Sequence, residues 1–280
     1  MLYDLKAKIE KNQQLSASVY YLELSMPKIP AKLKPGHFVH IRLMHTNDPL
    51  LRRPLSVNRI VERKLKNKII RNIGIVYKIV GKGTNLLKEM AAGEQVDVLG
   101  PLGNGFELAC LKPKQPIILV SGGMGIAPLV FLAQTLSKAI PEKQITAFLG
   151  MDTKKNLILA DNLKKLGCAV HISTDDGSQG FKGYVSELLE KKLLKLKPNE
   201  LNPYIYACGP KPMLKAVGMV AAKFNLSGQV SLDEMMGCGI GACLGCVIKT
   251  VDLKKQQPFV YKRICKDGPV FGINEILWEE

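Results

Sequence analysis

The chain has 280 residues, enough for about two domains and a small appendage, and its 46% hydrophobic and 23% charged residues exclude a disordered or fibrous chain. A formal net charge of +16 invites a nucleic-acid reading, yet residues 231–280 hold six Lys and Arg against seven Asp and Glu, so the surplus lies upstream. No RNP, helix-turn-helix or zinc-finger pattern accompanies it and only 6% of residues are aromatic, so the excess reads as a solvated lysine-rich surface with a share left for anionic cofactors.

The first ten residues lack an apolar core behind a basic lead, so no secretory signal is expected. Residues 1–107 read as strands: 17–25 alternates, 34–43 leaves a Pro-Gly turn, and 69–80 is a third β-rich run. Short strands with Pro and Gly punctuation predict a small closed barrel. Within it, Arg53, Pro54, Leu55 and Ser56 put a bidentate donor and a short hydroxyl on an extended segment. That pairing suits a pyrophosphate and a polyol, although such a stretch is more often an ordinary charged loop. Tyr77 and Lys78 lead into Gly81, Gly83 and Thr84, a glycine turn and a helix start with Thr84 as its expected cap. Backbone amides at such a helix start bind anions. His37 reads as structural. Residues 97–106 close the barrel, and 112–116 form the expected linker.

From Pro116 to Leu136 the chain carries no charge, a length that matches a membrane span. Ser121, Gly122, Gly123, Gly125 and Pro128 interrupt it, which predicts a strand, a turn and a helix instead. A buried strand running through a glycine turn into a helix is how α/β sheets hold nucleotide phosphates, although the spacing departs from G-x-G-x-x-G. The alternation continues with a strand at 144–150, a helix at 157–166, a strand at 169–174, a helix at 185–194 and a strand from 203. That last strand ends in Cys208, Gly209 and Pro210, at the edge where open α/β sheets bind ligands. Cys208 suits a nicotinamide contact and a packed small hydrophobe equally well. Cys110 and Cys168 read as structural. Asp152 would repel a 2′-phosphate whereas Lys154 and Lys155 would attract one; the balance leans to NAD.

Four of the seven cysteines, Cys238, Cys243, Cys246 and Cys265, fall in the last 43 residues with the spacing C-x4-C-x2-C-x18-C. This is the plant-type spacing of a [2Fe–2S] cluster, in which a tight loop supplies three thiolates and a distant cysteine the fourth. Zinc sites favour C-x2-C pairs, and disulfides belong to oxidising compartments for which nothing in the chain argues. Gly237, Gly239, Gly241 and Gly245 suit a loop wrapped close to sulfide, where positive φ is needed. The expected location is cytoplasmic.

Arg53 to Ser56, Gly83-Thr84, the turn from Gly122 to Pro128 and Cys208-Gly209-Pro210, in this order, resemble the ferredoxin–NADP reductase superfamily. Asp233 to Cys246 and Cys265 to Phe271 narrow this to a close resemblance, over essentially the whole chain, to the electron transfer subunits of class 1B dihydroorotate dehydrogenase. With the strand and helix pattern, it implies a multidomain α+β protein. The expected units are an FAD-binding antiparallel β-barrel at 1–108, an NAD-binding Rossmann-like α/β domain at 109–228 and a [2Fe–2S] domain at 229–280. The resemblance implies FAD at Arg53, Pro54, Leu55, Ser56, Val76, Tyr77, Lys78, Gly83 and Thr84, and NAD(H) at Gly122, Gly123, Gly125, Cys208, Gly209 and Pro210. The metal ligands it implies are Cys238, Cys243, Cys246 and Cys265.

It also implies an FMN-bearing catalytic subunit as partner, two of each in a heterotetramer, serving pyrimidine biosynthesis. Electrons would pass from dihydroorotate through FMN, cluster and FAD to NAD+. A flavin is the required converter between hydride and one-electron chemistry. No catalytic acid or base, nucleic acid or membrane is expected. A related branch, the small subunits of NAD(P)H:ferredoxin or sulfide-type oxidoreductases, places an aspartate where one ligand would sit; here that position is Cys238. A stand-alone flavin and iron–sulfur reductase, and an iron–sulfur sensor without flavin, are the remaining alternatives.

Overall fold

A computed structural model describes residues 3–26, 33–44, 48–65, 68–112, 115–138, 145–196, 202–254 and 256–278. Pro113 and Lys114 of the expected linker, and Gln144 of the expected strand, lie outside them. Six strands form the first unit: β1 (Tyr3–Ser16), β2 (Val19–Ser25), β3 (Phe38–Leu43), β4 (Arg53–Leu65), β5 (Lys68–Lys78) and β6 (Gln95–Leu102). They close in the order β1-β2-β5-β4-β3-β6 with every pairing antiparallel. The period-2 pattern is plain in β6, where every second residue is buried. Ile9, Leu24, Ile41, Ile73 and Val98 share the interior, joined by Leu87 of the helix α1 (Lys82–Glu89). Closure leaves the barrel no free sheet edge.

The second unit is a mostly parallel sheet, built from β7 (Ile117–Gly122), α2 (Ile126–Leu136), β8 (Ile145–Met151), α3 (Ala160–Lys165), β9 (Ala169–Thr174), β10 (Phe181–Lys182), α4 (Val185–Leu193), β11 (Tyr204–Gly209), α5 (Lys211–Lys223) and β12 (Gly228–Leu232). Its order is β10-β9-β8-β7-β11-β12-β15, where β15 (Val270–Gly272) is an antiparallel edge strand from the chain's end. Every residue of β7 is buried, as a central parallel strand covered by helices on both faces requires. The uncharged stretch is thus a strand followed by the 11-residue α2, of which all but Gln134 and Thr135 are buried. Among the described residues no helix is long and apolar enough to cross a membrane.

Helix α2 is wedged between sheet and barrel. Asn58 of β4, itself buried, donates from Nδ2 to the Ala127 carbonyl at 2.8 Å and pins the helix start to the barrel wall. Two details differ from the sequence expectation. The helix expected at 157–166 begins only at Ala160. Asp152 collects the Thr153 N–H and the Asn156 amide, which holds 153–156 in a tight turn, and Leu159 adopts a φ of 60° before the helix starts. Thr84 is not the cap residue either. It lies inside α1 and reaches back, its Oγ1 accepting from the N–H of Val80 at 3.0 Å and of Gly81 at 3.3 Å.

The last segment forms a ribbon of β13 (Val247–Thr250) and β14 (Val260–Arg263) and then returns as β15. Cys246, Ile264, Cys265 and Phe271 belong to the same hydrophobic core as Val230 and Leu232 of the sheet and Phe38 and Leu102 of the barrel. Asn104 ties the barrel exit to this segment, its N–H donating to Gly268 at 2.7 Å and its amide to Lys266 and Asp267. The small unit is thus seated where barrel and sheet meet.

Candidate functional site

Arg53 to Ser56 open β4, Val76 to Lys78 close β5, and Gly83 and Thr84 lie in the first turn of α1. One close approach brings the first and third of these stretches together. A Cβ on Gly83 would overlap Arg53, lying 2.5 Å from Cζ, so the guanidinium rests on the helix start only because residue 83 is glycine. Arg53 there donates to the carbonyls of Leu51 and Pro49. A delocalised cation at a helix N-terminus fits a pyrophosphate. Not every expected residue faces that spot. Leu55 packs in part against the barrel interior, and Tyr77 is buried inside it with its hydroxyl 3.1 Å from Asn12 Oδ1, so of Tyr77 only the backbone remains for a cofactor. Val76 packs against Ala127 at the junction with the sheet.

Beyond that junction lies a cleft of about 600 Å³. Gly122, Gly123 and Pro210 line it, as does Lys78 from the barrel. Gly125, Cys208 and Gly209 stand behind: the turn at Gly125 packs directly on the Cys208 carbonyl, and Cys208 is 5% exposed. Burial first, then the Asp233 carboxylate, pushes that thiol up to about 12, so it is a neutral packing group. Sequence reasoning passed over Met151, Asp175, Tyr184 and Met213, which also line the cleft. They carry no motif and are gathered only by the winding of the sheet. Asp152 lines it too. Hydrogen bonds from the Asn156 amide at 2.8 and 2.9 Å hold its carboxyl below the usual range, so it presents a charge.

Backbone hydrogen bonds to sulfur link the four cysteines of the expected cluster in two pairs. Cys238 Sγ accepts the N–H groups of Ala242 at 3.3 Å and Cys243 at 3.4 Å, and Cys246 Sγ accepts that of Cys265 at 3.4 Å. Among the described residues no three His, Cys, Asp or Glu side chains gather around one point for a single ion. Two pairs are what two irons with two thiolates each demand. The donor set therefore fits a [2Fe–2S] centre. The pairs differ in access: Cys243 is exposed and Cys238 half-buried, whereas Cys246 and Cys265 are buried. Burial resists ionisation of Cys238, but the surrounding N–H groups outweigh it and bring its thiol down to about 6. Positive φ occurs at Gly239 and Gly241 and also at Leu244, not at Gly237 or Gly245 as expected. Arg263 braces the loop, donating to the Gly241 carbonyl at 3.2 Å while gripping Asp267.

Three family models match in chain order: an oxidoreductase FAD-binding domain at 6–106, an oxidoreductase NAD-binding domain at 119–218, and the iron–sulfur cluster binding domain of dihydroorotate dehydrogenase B at 233–277. The chain is 37% identical over 273 residues to the dihydroorotate dehydrogenase B (NAD(+)) electron transfer subunit of Desulforamulus reducens, covering 98% of each chain. It is 38% identical over 270 residues to the protein of that name from Geobacillus kaustophilus, covering 96% of each. Among solved structures, a chain of the NADH-dependent reduced ferredoxin-NADP oxidoreductase matches with a TM-score of 0.79 at 31% identity, over 97% of this chain and 90% of that one. A ferredoxin NADP+ reductase from Neisseria gonorrhoeae shares the fold, with a TM-score of 0.64 at 17% identity over 79% of this chain and 91% of that one. With barrel, nucleotide cleft and paired thiols in place and likeness along its full length, the chain belongs to the family of dihydroorotate dehydrogenase B (NAD(+)) electron transfer subunits.

Proposed function

We propose that this chain is the electron transfer subunit of an NAD-dependent dihydroorotate dehydrogenase, delivering electrons to NAD+ in pyrimidine biosynthesis. The observation that carries the reading is the pairing of Cys238 with Cys243 and of Cys246 with Cys265, within the segment that matches the cluster-binding model. In this reading those four thiolates hold the [2Fe–2S] centre. Arg53, Pro54, Leu55 and Ser56, with Val76 to Lys78, Gly83 and Thr84, hold FAD. Gly122, Gly123 and Pro210 form the NAD(H) cleft, backed by Gly125, Cys208 and Gly209. Bound FAD would supply the exchange between one-electron and hydride chemistry. The residues themselves bind and orient: Arg53 neutralises pyrophosphate, the Gly122 turn admits a nucleotide phosphate, and the buried Cys208 closes the floor. Asp152 and Asp175, both lining the cleft, would repel a 2′-phosphate and favour NAD over NADP. The three units run approximately 1–108, 109–228 and 229–280, with β12 (Gly228–Leu232) carrying the nucleotide sheet across the last boundary.

The partner is a catalytic subunit bearing FMN, two of each forming the assembly. Its docking is supported by Met235, Ile240, Leu244 and Tyr261, which expose 86, 46, 60 and 60% of their surface on the cluster loop and the ribbon beside the exposed Cys243. The cytoplasm, which keeps thiols reduced for iron, is the fitting location. The rival reading, a subunit of an NAD(P)H:ferredoxin-type oxidoreductase, shares the fold; Cys238 at the first ligand position and the names of the curated relatives favour the dihydroorotate system. The test is purification of the tagged chain from its host. Co-purification of a flavin-bearing partner, with NADH formed on adding dihydroorotate and NAD+, is the expected result. A chain that emerges alone and reduces only ferredoxin or dyes refutes it.

A further inference from the structure

Strand β3 splits its faces. Val39 and Ile41 point into the barrel core, whereas Phe38 points outward into the core shared with the sheet and the cluster unit. His40 shares the outward face, its ring at 6.0 Å from that of Phe38 in an edge arrangement. It is fully buried, yet among the described residues neither Nδ1 nor Nε2 has a hydrogen-bond partner. An imidazole always carries at least one N–H, and native proteins leave few such groups unpaired.

What covers the ring is the cluster loop. A Cβ on Gly239, at φ +70°, would lie 2.6 Å from Nδ1 and 2.7 Å from Cε1, so glycine is needed for the loop to close over the histidine. Gly239 directly follows Cys238. On its other side, His40 pairs with Pro54 in the β3–β4 ladder, within the segment read above as flavin-binding. The ring thus lies under the loop that would carry the cluster, on the strand beside the one that would carry FAD. Sulfurs of an iron–sulfur centre accept hydrogen bonds, and donors near them set the potential.

We infer that His40 is a positioning residue of the cluster centre, its ring N–H donating to a sulfur of that centre from the barrel side. The bond holds the Cys238-Gly239 segment against β3 and raises the reduction potential, because a donor stabilises the added negative charge of the reduced state. The inference rests on the ligand reading of the four cysteines.

The test uses the full chain, loaded with FAD and cluster and labelled with 15N-histidine, beside His40→Gln, which keeps an N–H, and His40→Leu, which keeps bulk without one. Iron, sulfide and visible spectrum establish loading, and the reduced cluster is followed by redox titration and pulsed EPR. The expected result is a histidine 15N coupling in the wild-type chain that both variants lose. At a fixed potential His40→Leu lowers the reduced-to-oxidised ratio about tenfold, ~59 mV for one electron, and His40→Gln recovers most of it. A loaded wild-type cluster without histidine coupling, or a loaded His40→Leu with unchanged potential, overturns the inference. The wild-type coupling decides the matter even if a variant fails to load. A wild-type chain that takes up no iron overturns the ligand reading instead, and the role of His40 with it.

Discussion

Replacing Gly83 with Ala should separate flavin affinity from fold stability. Gly83 is buried in the first turn of α1, and an added methyl would sit 2.5 Å from Arg53 Cζ. The atoms it meets belong to a flexible side chain, so Arg53 swings away and the backbone stays. What is lost is the placement of the guanidinium on a pyrophosphate. A charge-assisted contact of that kind contributes about 1.5–3 kcal/mol, so FAD should bind about 10- to 150-fold more weakly. The unliganded fold should not suffer, because Ala is favoured over Gly within a helix by up to ~1 kcal/mol. Titrating FAD into flavin-free protein by fluorescence measures the first effect and thermal unfolding the second. Arg53→Ala should give a similar loss, and the double variant little more, since both act on one contact. FAD affinity within twofold of wild type in Gly83→Ala, or fully additive losses, would refute the reasoning.

Cys265→Ser should abolish iron loading while FAD content and NADH-dependent dye reduction persist, because the thiol is buried against Cys246 and away from the nucleotide cleft; an unchanged iron content would count against the pairing. Asp152→Ala should narrow the preference for NADH over NADPH by roughly tenfold, the worth of ~1.4 kcal/mol in one charge contact, read from the ratio of kcat/KM values; an unaltered ratio would remove Asp152 from the discrimination. His37 is held near pKa 4 by burial first and Lys34 second, and its Nδ1 accepts the Lys34 N–H at 3.1 Å. Its folded value lies below the unfolded 6.5, so its contribution is complete above about pH 6.5 and is lost as pH falls toward 4, with a slope of up to ~1.4 kcal/mol per pH unit. Urea unfolding of wild type and His37→Gln at pH 7, 6 and 5 checks this, the variant losing that slope; parallel curves would show that His37 is not the titrating group.

Much of this protein was legible in its sequence where the signal is local. The uncharged run into Gly122 declares a buried strand and a turn, and the structure places β7 and α2 there with scarcely an exposed residue. The C-x4-C-x2-C spacing is local too, and only the distant Cys265 needed the fold to bring it against Cys246. The sequence was silent where a side chain had two faces to choose from. Tyr77 and Lys78 are neighbours in one strand, but period-2 alternation sends Tyr77 into the barrel and Lys78 to the nucleotide cleft. Which of the two turns inward is fixed by the register of β5 against β2 and β4, a property of the closed barrel.

The sequence by itself determined most element types, the order of the three units and the close spacing of the cysteines, because periodicity, glycine turns and cysteine spacing act over a few residues. The tertiary structure alone decided that Arg53 rests on Gly83, that β15 returns to edge the nucleotide sheet, and that His40 lies beneath Gly239. Each is a contact between segments far apart along the chain. Such contacts form only once closure of the barrel and burial of a shared apolar core have offset the entropy of bringing those segments together.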